Sequence, residues 1–439
     1  MARVTVVGLW HLGCVVSACL AEDGNEVTGI DYDPQILNGL IQGRPPLFEP
    51  GLELLIKKNL ETKRLRFVEQ FKEVIPRQEF FFITFDTPVD ESDQSDLTVI
   101  FRAVDEITKH ADRDAVVVIS SQVPVGTSRE IQQMLDRRRK HRLEVVYSPE
   151  NLRLGEALKT FQEPDRVVIG CDNHWAGDQL EKLYHFVKAP KLRMDLNSAE
   201  MTKHALNSFL ANSISLINEI ATLSESCGVD IRHVVKALKS DRRMGPYAFL
   251  NPGIGFAGGT LARDIQVLRK VGQRYQKPTP ILDAVLVVNQ DRPQRIKEKL
   301  LQFYPRLNAI QLCLFGLTYK PQTTTLRRSV AIALARDFLK EGAKIKAYDP
   351  MIREQDPQTE GITICQSPYE AAKGSSALLV ATEWPQFKEV DFRRIKQEMD
   401  FPLLLDMKNF LEPEMLISIG FQYIGVGIDP NCLQKKVGP

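Results

Sequence analysis

A glycine-containing turn follows the first apolar run of the sequence. Residues 8–13 read GLWHLG, with Trp10 at the second glycine position of the fingerprint GxGxxG, and Asp31 ends the second apolar run. In that fingerprint the first glycine makes a tight turn, the second lets the backbone approach a pyrophosphate, and the third permits close helix–strand packing. Asp31 could accept hydrogen bonds from both ribose hydroxyls and would repel a 2′-phosphate, so the pattern predicts NAD and not NADP. A nucleotide-free α/β turn is the alternative, because two glycines alone are a weak fingerprint.

A lysine lies in the middle of an apolar stripe on a long predicted helix. At roughly 100° per residue, Lys203 and Asn207 fall on the face that also carries Leu206, Leu210, Ile214 and Ile217. A buried ammonium is costly without a partner or a task, and burial lowers its pKa until it can accept a hydroxyl proton during an oxidation. The pattern therefore predicts a catalytic lysine. An interfacial lysine whose charged end reaches solvent is the alternative.

Strand-like and helical runs alternate at both ends of the chain. The first alternation has apolar runs at residues 4–8, 26–31, 80–85, 115–120, 143–147 and 166–170. The second has them at residues 310–315, 344–348, 377–381, 402–406 and 423–426. Between them, Asn197 with Glu200 three residues later predicts a capping box that begins a helical middle. We expect an α/β protein with two Rossmann-like, doubly wound parallel-sheet domains joined by a central all-helical segment.

The composition limits the possible partners. The 439 residues include 57 basic and 56 acidic side chains, which argues against a broad surface for nucleic acid. The seven cysteines form no CxxC pair, so we expect buried thiols in a reducing compartment and no metal site. The first residues show no basic region and no small-residue cleavage site, so we expect no signal peptide, and no apolar run reaches membrane-spanning length. These features predict a cytoplasmic protein without a nucleic-acid or membrane partner.

Collinear segments along nearly the whole chain resemble the UDP-glucose/GDP-mannose dehydrogenase family. They are residues 48–52 (FEPGL), 86–88 (DTP), 123–127 (VPVGT), 148–153 (SPENLR), 164–166 (PDR), 198–203 (SAEMTK), 253–259 (GIGFAGG), 316–321 (GLTYKP) and 382–385 (TEWP). The resemblance implies an NAD-binding domain at 1–195, a helical domain at 196–304 that forms a homodimer, and a domain at 305–439 that binds the nucleotide diphosphate of a sugar, most commonly UDP.

The resemblance also assigns site residues. Those expected to act in catalysis are Lys203, Asn207, Asp264 and Glu150, with Thr260 at the position of the family's cysteine. Those expected to bind NAD are Gly8, Trp10, His11, Leu12, Gly13, Asp31, Thr87, Pro88 and Arg327. Those expected to bind the nucleotide sugar are Asn151, Leu152, Arg153, Tyr247, Phe249, Gly255, Phe256, Lys320 and Lys408. Glu150 and Asp264 could instead be plain helix-cap or ion-pair residues.

The departures from the family pattern concern one chemical step. Family members oxidise a sugar alcohol twice, and a cysteine captures the intermediate aldehyde. Thr260 replaces that cysteine, Leu154 replaces a second loop glutamate, Gln122 replaces a threonine and Arg263 replaces a lysine. A threonine hydroxyl supplies no accessible anion near neutral pH, and Thr260 also suits the N-cap of the next helix.

These observations favour an NAD-dependent enzyme that oxidises one alcohol of a nucleotide sugar to a carbonyl and stops there. A catalytically silent protein that binds NAD or a nucleotide sugar is a second hypothesis, which Trp10 favours and the Lys203–Asn207 pair opposes. An epimerase or lyase that keeps NAD bound is a third.

Overall fold

The computed structural model describes residues 1–74, 76–87, 96–138, 140–149, 152–257 and 259–429. Within them the chain divides into two units, which are taken separately below. The first consists of the described parts of Met1–Ala205 with Gln266–Val271, and the second of Leu206–Ile265 with the described part of Gly272–Pro439. The domain boundaries expected at 195/196 and 304/305 stay predictions, because this division follows packing and not function.

The first unit is built around a sheet of eight strands within the described residues. Its elements are β1 (Arg3–Val7), α1 (His11–Glu22), β2 (Glu26–Ile30), α2 (Pro34–Ile41), α3 (Leu52–Glu61), β3 (Leu65–Val68), β4 (Phe80–Ile83), α4 (Thr98–His110), β5 (Ala115–Ile119), α5 (Thr127–Arg138), β6 (Leu143–Tyr147), α6 (Ala157–Gln162), β7 (Val167–Gly170), α7 (His174–Leu183) and β8 (Lys191–Met194). The strand order is β3-β2-β1-β4-β5-β6-β7-β8. The pairings are parallel except that β7 runs antiparallel to β6.

Successive side chains of this sheet enter apolar clusters on opposite faces. Val6 and Phe82 belong to one cluster, whereas Val7 and Ile83 belong to the other. Strands buried on both faces are apolar at nearly every position, which explains why short continuous runs identified them in the sequence. The order reverses between β1 and β4, and the carboxyl ends of strands at such a switch point form a ligand crevice.

The second unit combines long helices with a parallel sheet. The remaining elements are α8 (Leu196–Ser226), α9 (Ile231–Ser240), α10 (Thr260–Arg274), α11 (Pro280–Leu301), β9 (Gln311–Phe315), α12 (Val330–Lys340), β10 (Lys344–Tyr348), β11 (Ile362–Ile364), α13 (Pro368–Ala372), β12 (Ala377–Val380), α14 (Phe392–Glu398), β13 (Leu403–Asp406), α15 (Pro413–Ile419) and β14 (Gln422–Gly425). The sheet order is β11-β10-β9-β12-β13-β14, with parallel pairing throughout. The predicted fold class, two Rossmann-like sheets with a helical segment between them in sequence, is confirmed.

The same turn occurs after the first strand of each sheet. In the first, the Leu9 N–H donates to Asp31 Oδ2 at 2.5 Å, and in the second the Leu317 N–H donates to Asp349 Oδ2 at 2.8 Å. Asp349 also accepts from Trp384 Nε1 at 3.1 Å and is fully buried, so its carboxylate is committed to the fold. The repeat is therefore one of backbone geometry, although the sequence shows no residue-level repeat.

The start of α8 differs from the predicted capping box. Asp195, not Asn197, accepts from the Ser198 N–H at 3.1 Å, and Asn197 Oδ1 has no hydrogen-bond partner among the described residues. Glu200 instead accepts from the N–H groups of Gly126 and Ser128, at 2.5 and 2.8 Å, and so caps α5. The predicted capping box is wrong because a long-range partner uses the glutamate and an earlier aspartate is the better cap.

The described cysteines are free thiols and differ in exposure. Cys14, Cys19, Cys313 and Cys365 are buried, Cys171 is half-buried and Cys227 is exposed, so the prediction of buried thiols is wrong for Cys227. Cys432 lies outside the described residues. None of the helices in the described ranges has the length and apolar character needed to cross a bilayer.

Candidate functional site

Two glycines of the first turn are required by its geometry. Gly8 has φ +95°, and a Cβ there would lie 2.7 Å from the Phe85 ring and 2.9 Å from the Phe85 backbone nitrogen. A Cβ at Gly13 would lie 1.8 Å from the carbonyl oxygen of Gly8. Because backbone cannot move away as a flexible side chain can, both positions exclude larger residues. The tight turn and the close helix packing of the fingerprint are therefore present.

Trp10 does not distort this turn. It precedes α1 with φ −73° and ψ −152°, an extended conformation that any residue adopts, and its side chain makes no capping hydrogen bond. Its ring is 39% exposed. The turn thus keeps its backbone shape without a middle glycine, and the substitution changes only the space in front of it. Leu12 is half-buried and packs against the apolar core.

Asp31 lies at the carboxyl end of β2, as predicted. Its Oδ2 accepts from the Leu9 N–H at 2.5 Å and its Oδ1 accepts from the Asp33 N–H at 2.9 Å. An ionised carboxylate has about four acceptor positions, so two remain for ribose hydroxyls. A cavity of about 430 Å³ opens beside the next residue, Tyr32. The Tyr32 ring stacks on Phe85, and the Arg102 guanidinium lies 4.3 Å from its centroid.

His11 joins the turn to the FEPGL segment. Its Nε2 lies 2.9 Å from Glu49 Oε2, and the buried Glu49 carboxylate also accepts from the N–H groups of Gly155 and Ala157, at 2.9 and 2.8 Å. Burial acts to raise the pKa of Glu49, but hydrogen bonds from His11, Ala157 and Gly155 outweigh it and hold the pKa below its ordinary value. The shape of this corner thus depends on Glu49, which the sequence analysis did not single out.

The loops that follow β4 and β6 complete this edge of the first sheet. Thr87 is buried, and its Oγ1 donates to the carbonyl of Gln122 at 3.0 Å. Leu152 and Leu154 are half-buried, and Arg153 is exposed. The remaining predicted residues of these loops, Pro88, Glu150 and Asn151, lie outside the described residues, as does Gly258 of the later glycine loop.

The central helix contributes a buried polar pair in the second unit. Asn207 Nδ2 donates a short hydrogen bond to Asp264 Oδ2, and Asp264 is fully buried. Two residues predicted for catalysis are thus brought together from α8 and α10. Lys203, one helical turn before Asn207, is half-buried, so it is less enclosed than its place in the apolar stripe predicted.

Thr260 is the first residue of α10 and is exposed. The carbonyl of the preceding residue, Gly259, accepts the helical hydrogen bond from the Arg263 N–H at 3.3 Å. The N-cap position is therefore Gly259, and the prediction that Thr260 caps the helix is wrong by one residue. Its hydroxyl stands at the helix start, where the resemblance places a thiol.

Three consecutive parts of the chain match one protein family. Residues 2–188 match its NAD binding domain, residues 197–291 its central domain and residues 313–413 its UDP binding domain. The chain belongs to the UDP-glucose/GDP-mannose dehydrogenase family. As a member it is an NAD-dependent nucleotide-sugar dehydrogenase, which confirms the predicted cofactor and enzyme class.

Relatives of this dehydrogenase cover nearly its whole length. The UDP-glucose 6-dehydrogenase of Pseudomonas aeruginosa is 34% identical, over 97% of this chain and 97% of that protein. The solved UDP-glucose dehydrogenase of Pyrobaculum islandicum has a TM-score of 0.88 and 30% identity, over 98% of each chain. The UDP-D-ManNAc dehydrogenase of Pyrococcus horikoshii has a TM-score of 0.85 and 25% identity, over 97% of this chain and 99% of that one.

In this dehydrogenase the predicted sugar-nucleotide residues differ in placement. Lys408 is half-buried and lies 3.3 Å from Glu383 Oε2, and Lys320 is half-buried beside the Tyr319 ring. Tyr247 is 92% exposed and Phe249 is also exposed, so their rings have no enclosed position in the single chain. Gly255 and Phe256 belong to the loop before α10, and the Phe256 ring is buried in an apolar cluster.

The second unit also places an arginine that the sequence analysis missed. A Cβ at Gly259 would lie 3.3 Å from Arg328 Nη1, so this guanidinium packs against the residue before Thr260. The predicted residue was its neighbour Arg327, and both arginines are exposed. No periodic pattern distinguishes two adjacent arginines in a loop, and only the fold shows which one approaches α10.

Proposed function

We propose that this dehydrogenase performs a single two-electron oxidation, from one alcohol of a nucleotide-linked sugar to a carbonyl. The observation that supports this is Thr260, which stands exposed at the start of α10 in place of a thiol. A thiol has a pKa of about 8.5, whereas a hydroxyl becomes a nucleophile only with a strong base beside it. Without a thiohemiacetal, the second oxidation lacks its covalent intermediate. Bound NAD would supply the hydride acceptor for the first.

Lys203 is the proposed base for the alcohol. It precedes Asn207 by four residues on α8, so the two side chains leave the same face of the helix. Asp264 fixes the orientation of the Asn207 amide by accepting from Nδ2. We assign Lys203 to accept the hydroxyl proton, and Asn207 to orient the hydroxyl. Glu150, which the resemblance assigns to catalysis, remains part of this proposal.

The residues of the first unit fit NAD. Gly8 and Gly13 shape a turn that leads into α1, whose free N–H groups suit a pyrophosphate, and Asp31 keeps acceptor positions for ribose. The cavity beside Tyr32 would hold the adenine end. We include residues 1–195 in this domain, with Thr87, Pro88 and Arg327 as further cofactor contacts.

We further propose that residues 305–439 bind UDP of a UDP-sugar. Relatives named UDP-glucose 6-dehydrogenase support this choice of nucleotide. Lys320 and Lys408 supply cationic side chains suited to a diphosphate. Gly255 and the backbone of Phe256 would contact the sugar, together with Asn151, Leu152 and Arg153 from the loop after β6.

The helices of residues 196–304 are the proposed dimer interface. Phe209, Leu216 and Leu223 recur every seven residues on α8 and are 68%, 52% and 62% exposed. Residues at this spacing share one helix face, and an exposed apolar stripe of this kind marks an interface. A second copy of the chain would also cover the exposed Tyr247 and Phe249.

A catalytically silent binding protein is the second candidate. The exposed Trp10 ring in front of the pyrophosphate turn favours it, because the ring occupies space that a glycine would leave to the cofactor. The alternatives give different results when the protein is mixed with NAD and a panel of UDP-sugars. One NADH per sugar supports the proposal and no NADH supports a silent protein. Altered sugar without NADH release indicates an epimerase or lyase.

Lys203→Ala tests the base. We expect a fall in turnover of about 10²–10⁴, the usual contribution of general-base catalysis, with a thermal midpoint close to that of the unmodified protein. Retention of activity within tenfold would contradict the assignment.

Thr260→Cys tests the missing second oxidation. Intact-protein mass spectrometry should show no adduct on the unmodified protein and a covalent sugar adduct on the variant. Because Leu154 and Gln122 replace a carboxylate and a small hydroxyl, hydrolysis should stay slow until Leu154→Glu and Gln122→Thr are added. Two NADH per sugar and free acid from the unmodified protein would show that another group replaces the thiol.

A further inference from the structure

The loop that leads into α10 passes close to the end of β13. A Cβ at Gly253 would lie 2.8 Å from the carbonyl oxygen of Met407 and 3.5 Å from Lys408 Cδ, so the loop backbone packs directly on this segment. Asp406 in turn holds Lys408, whose N–H donates to Asp406 Oδ1 at 3.0 Å. The loop therefore connects the start of α10 with the surroundings of Lys408, which is a proposed ligand of the diphosphate.

Two buried side chains hold Gly253 from the helix side. Asn218 Oδ1, on α8, accepts from the Gly253 N–H at 2.8 Å. Arg292 Nε, on α11, donates to the Gly253 carbonyl at 3.1 Å, and Arg292 Nη1 donates to Thr222 Oγ1 at 3.0 Å and to the Asn218 carbonyl at 3.3 Å. The guanidinium thus fixes the loop and the helix that carries Asn218 in one network.

A third side chain fixes the loop three residues later, at Phe256. Asn289 Oδ1 accepts from the Phe256 N–H at 2.8 Å, and Asn289 Nδ2 donates to the Phe256 carbonyl at 3.2 Å. The Phe256 ring packs with Ala211, Ile265 and Val285. Gly255, with φ +90°, provides the turn between the two fixed points, and a Cβ there would lie 2.4 Å from Asn289 Oδ1. Both sides of the loop backbone are therefore held.

The buried guanidinium in this network has a free-energy cost that a loop connecting two helices does not require. Arg292 is buried, and its hydrogen bonds within the described part of the chain go to neutral acceptors. Burial lowers the pKa of Arg292, although Glu225 and Asp291 act to raise it. A buried cation without a direct carboxylate partner costs stability that apolar packing would not. The presence of this buried cation is explained if the loop must hold one backbone conformation for a ligand.

We propose that Asn218, Asn289 and Arg292 are positioning residues for the nucleotide-sugar site, because they fix residues 253–256 against Lys408 and ahead of Thr260. The inference rests on the proposed UDP-sugar function. It assigns these three side chains no contact with the substrate or with NAD. Their loss should therefore weaken the binding of UDP and raise the KM for the UDP-sugar, while NAD binding is unchanged.

The test compares Asn289→Ala and Arg292→Lys with Ile296→Val, a change one turn further along α11 at a buried side chain outside the loop network. Calorimetry with UDP alone and with NAD alone measures binding without turnover. We expect UDP affinity to fall about tenfold or more in Asn289→Ala, as when about 1.4 kcal/mol of interaction is lost, with NAD affinity within twofold. Arg292→Lys should give a smaller loss, because an ammonium keeps one donor to the Gly253 carbonyl. Ile296→Val should lower the thermal midpoint alone.

The outcomes separate the inference from the proposed function. The inference is overturned if both loop variants bind UDP within twofold of the unmodified protein and have thermal midpoints lowered as in Ile296→Val. The network would then have only a structural role. If Asn289→Ala does not fold, Asn289→Asp keeps the acceptor for Phe256 N–H, loses the donor to its carbonyl, and is measured in the same way. If the unmodified protein binds UDP but forms no NADH, the proposed oxidation is contradicted. The inference can still be tested, because it depends only on the UDP affinities of the variants. An unmodified protein that does not bind UDP contradicts both.

Discussion

At the scale of single residues, the first turn shows which parts of a fingerprint the fold requires. Gly8 and Gly13 cannot carry a Cβ, because backbone atoms lie where it would stand. The middle position has an extended backbone that accepts Trp10 without strain. The backbone at that position therefore does not require a glycine. Its replacement by Trp10 should mainly change the affinity for NAD.

Trp10→Gly should accordingly tighten NAD binding, measured by calorimetry, since the exposed ring no longer stands in front of the pyrophosphate turn. The thermal midpoint should fall slightly, because glycine costs about 0.5–1 kcal/mol in conformational entropy. Trp10→Phe is the control that keeps a ring. If NAD binds more weakly to Trp10→Gly and normally to Trp10→Phe, the ring packs on the cofactor, and the steric explanation is wrong.

Glu49→Gln should show a pH-dependent loss of stability. The folded-state pKa of Glu49 is lowered, so its ionised form contributes stability that is fully present above the ordinary carboxyl pKa of about 4.3 and is lost as pH falls through the lowered value. Near neutral pH we expect a loss of about 1–3 kcal/mol, typical when buried hydrogen-bond donors lose a charged acceptor. The difference from the unmodified protein should shrink in acid.

Thermal unfolding across a pH series measures this difference. Glu53→Gln is the matched control, because Glu53 pairs with Lys57 on the exposed face of α3, where such a pair contributes about 0.3–0.5 kcal/mol. A destabilisation by Glu49→Gln that is the same at acid and neutral pH would show that the carboxylate charge is not what holds the corner together.

The site residues stay predictions at this scale, although the structure brings two of them into contact. Asp264 was named from the resemblance, and the structure places it against Asn207. Glu49 was missed because its partners lie 38 to more than 100 residues away in sequence. Arg292 could have been found, since it lies on the apolar stripe of α11 with Val285 and Ile296. That is the same argument that singled out Lys203.

At the scale of elements, the interior strands of both described sheets were predicted, as was the edge strand β14, whereas the other three edge strands were not. Strand β5 is buried at every position and was identified to within one residue. The strands β3, β8 and β11 lie at or next to sheet edges and have mixed burial, so their sequences lack a continuous apolar run. The predictions of helix starts were wrong for another reason. Several cap-forming side chains stand near the start of α8, and only the fold selects among them.

The start of α8 gives a direct comparison of two candidate caps. Asp195→Ala should cost about 0.5–2 kcal/mol, since the Ser198 N–H loses its acceptor, whereas Asn197→Ala should change stability by a few tenths, because Asn197 Oδ1 has no partner in the described chain. Chemical denaturation of both variants measures the difference. Equal losses, or a larger loss in Asn197→Ala, would restore the capping box that the sequence predicted.

At the scale of the whole molecule, the alternation of strands and helices predicted two parallel sheets, and both were found with a reversal of strand order. In each sheet the reversal lies next to the first strand, between β1 and β4 and between β9 and β12. Each sheet thus has a crevice at its carboxyl edge, where the first domain would take NAD and the last would take UDP. What the sequence could not give is the network that fixes the loop before α10, because its donors and acceptors come from two helices far apart in the chain.

The oligomeric state also belongs to this scale, and the exposed apolar stripe of α8 allows it to be tested. Phe209, Leu216 and Leu223 leave a large apolar stripe in water on a single chain, and burying such side chains is worth roughly 1.5–3 kcal/mol each. We expect the protein to be a homodimer in solution by light scattering, and Leu216→Glu to produce monomers, because a carboxylate at the centre of the interface would be desolvated without a partner. Leu54→Glu is the matched control, since Leu54 is another exposed leucine, on α3 and outside the stripe. It should remain dimeric. A monomeric unmodified protein, or a Leu216→Glu variant whose mass is unchanged, would show that another surface, or none, joins the chains.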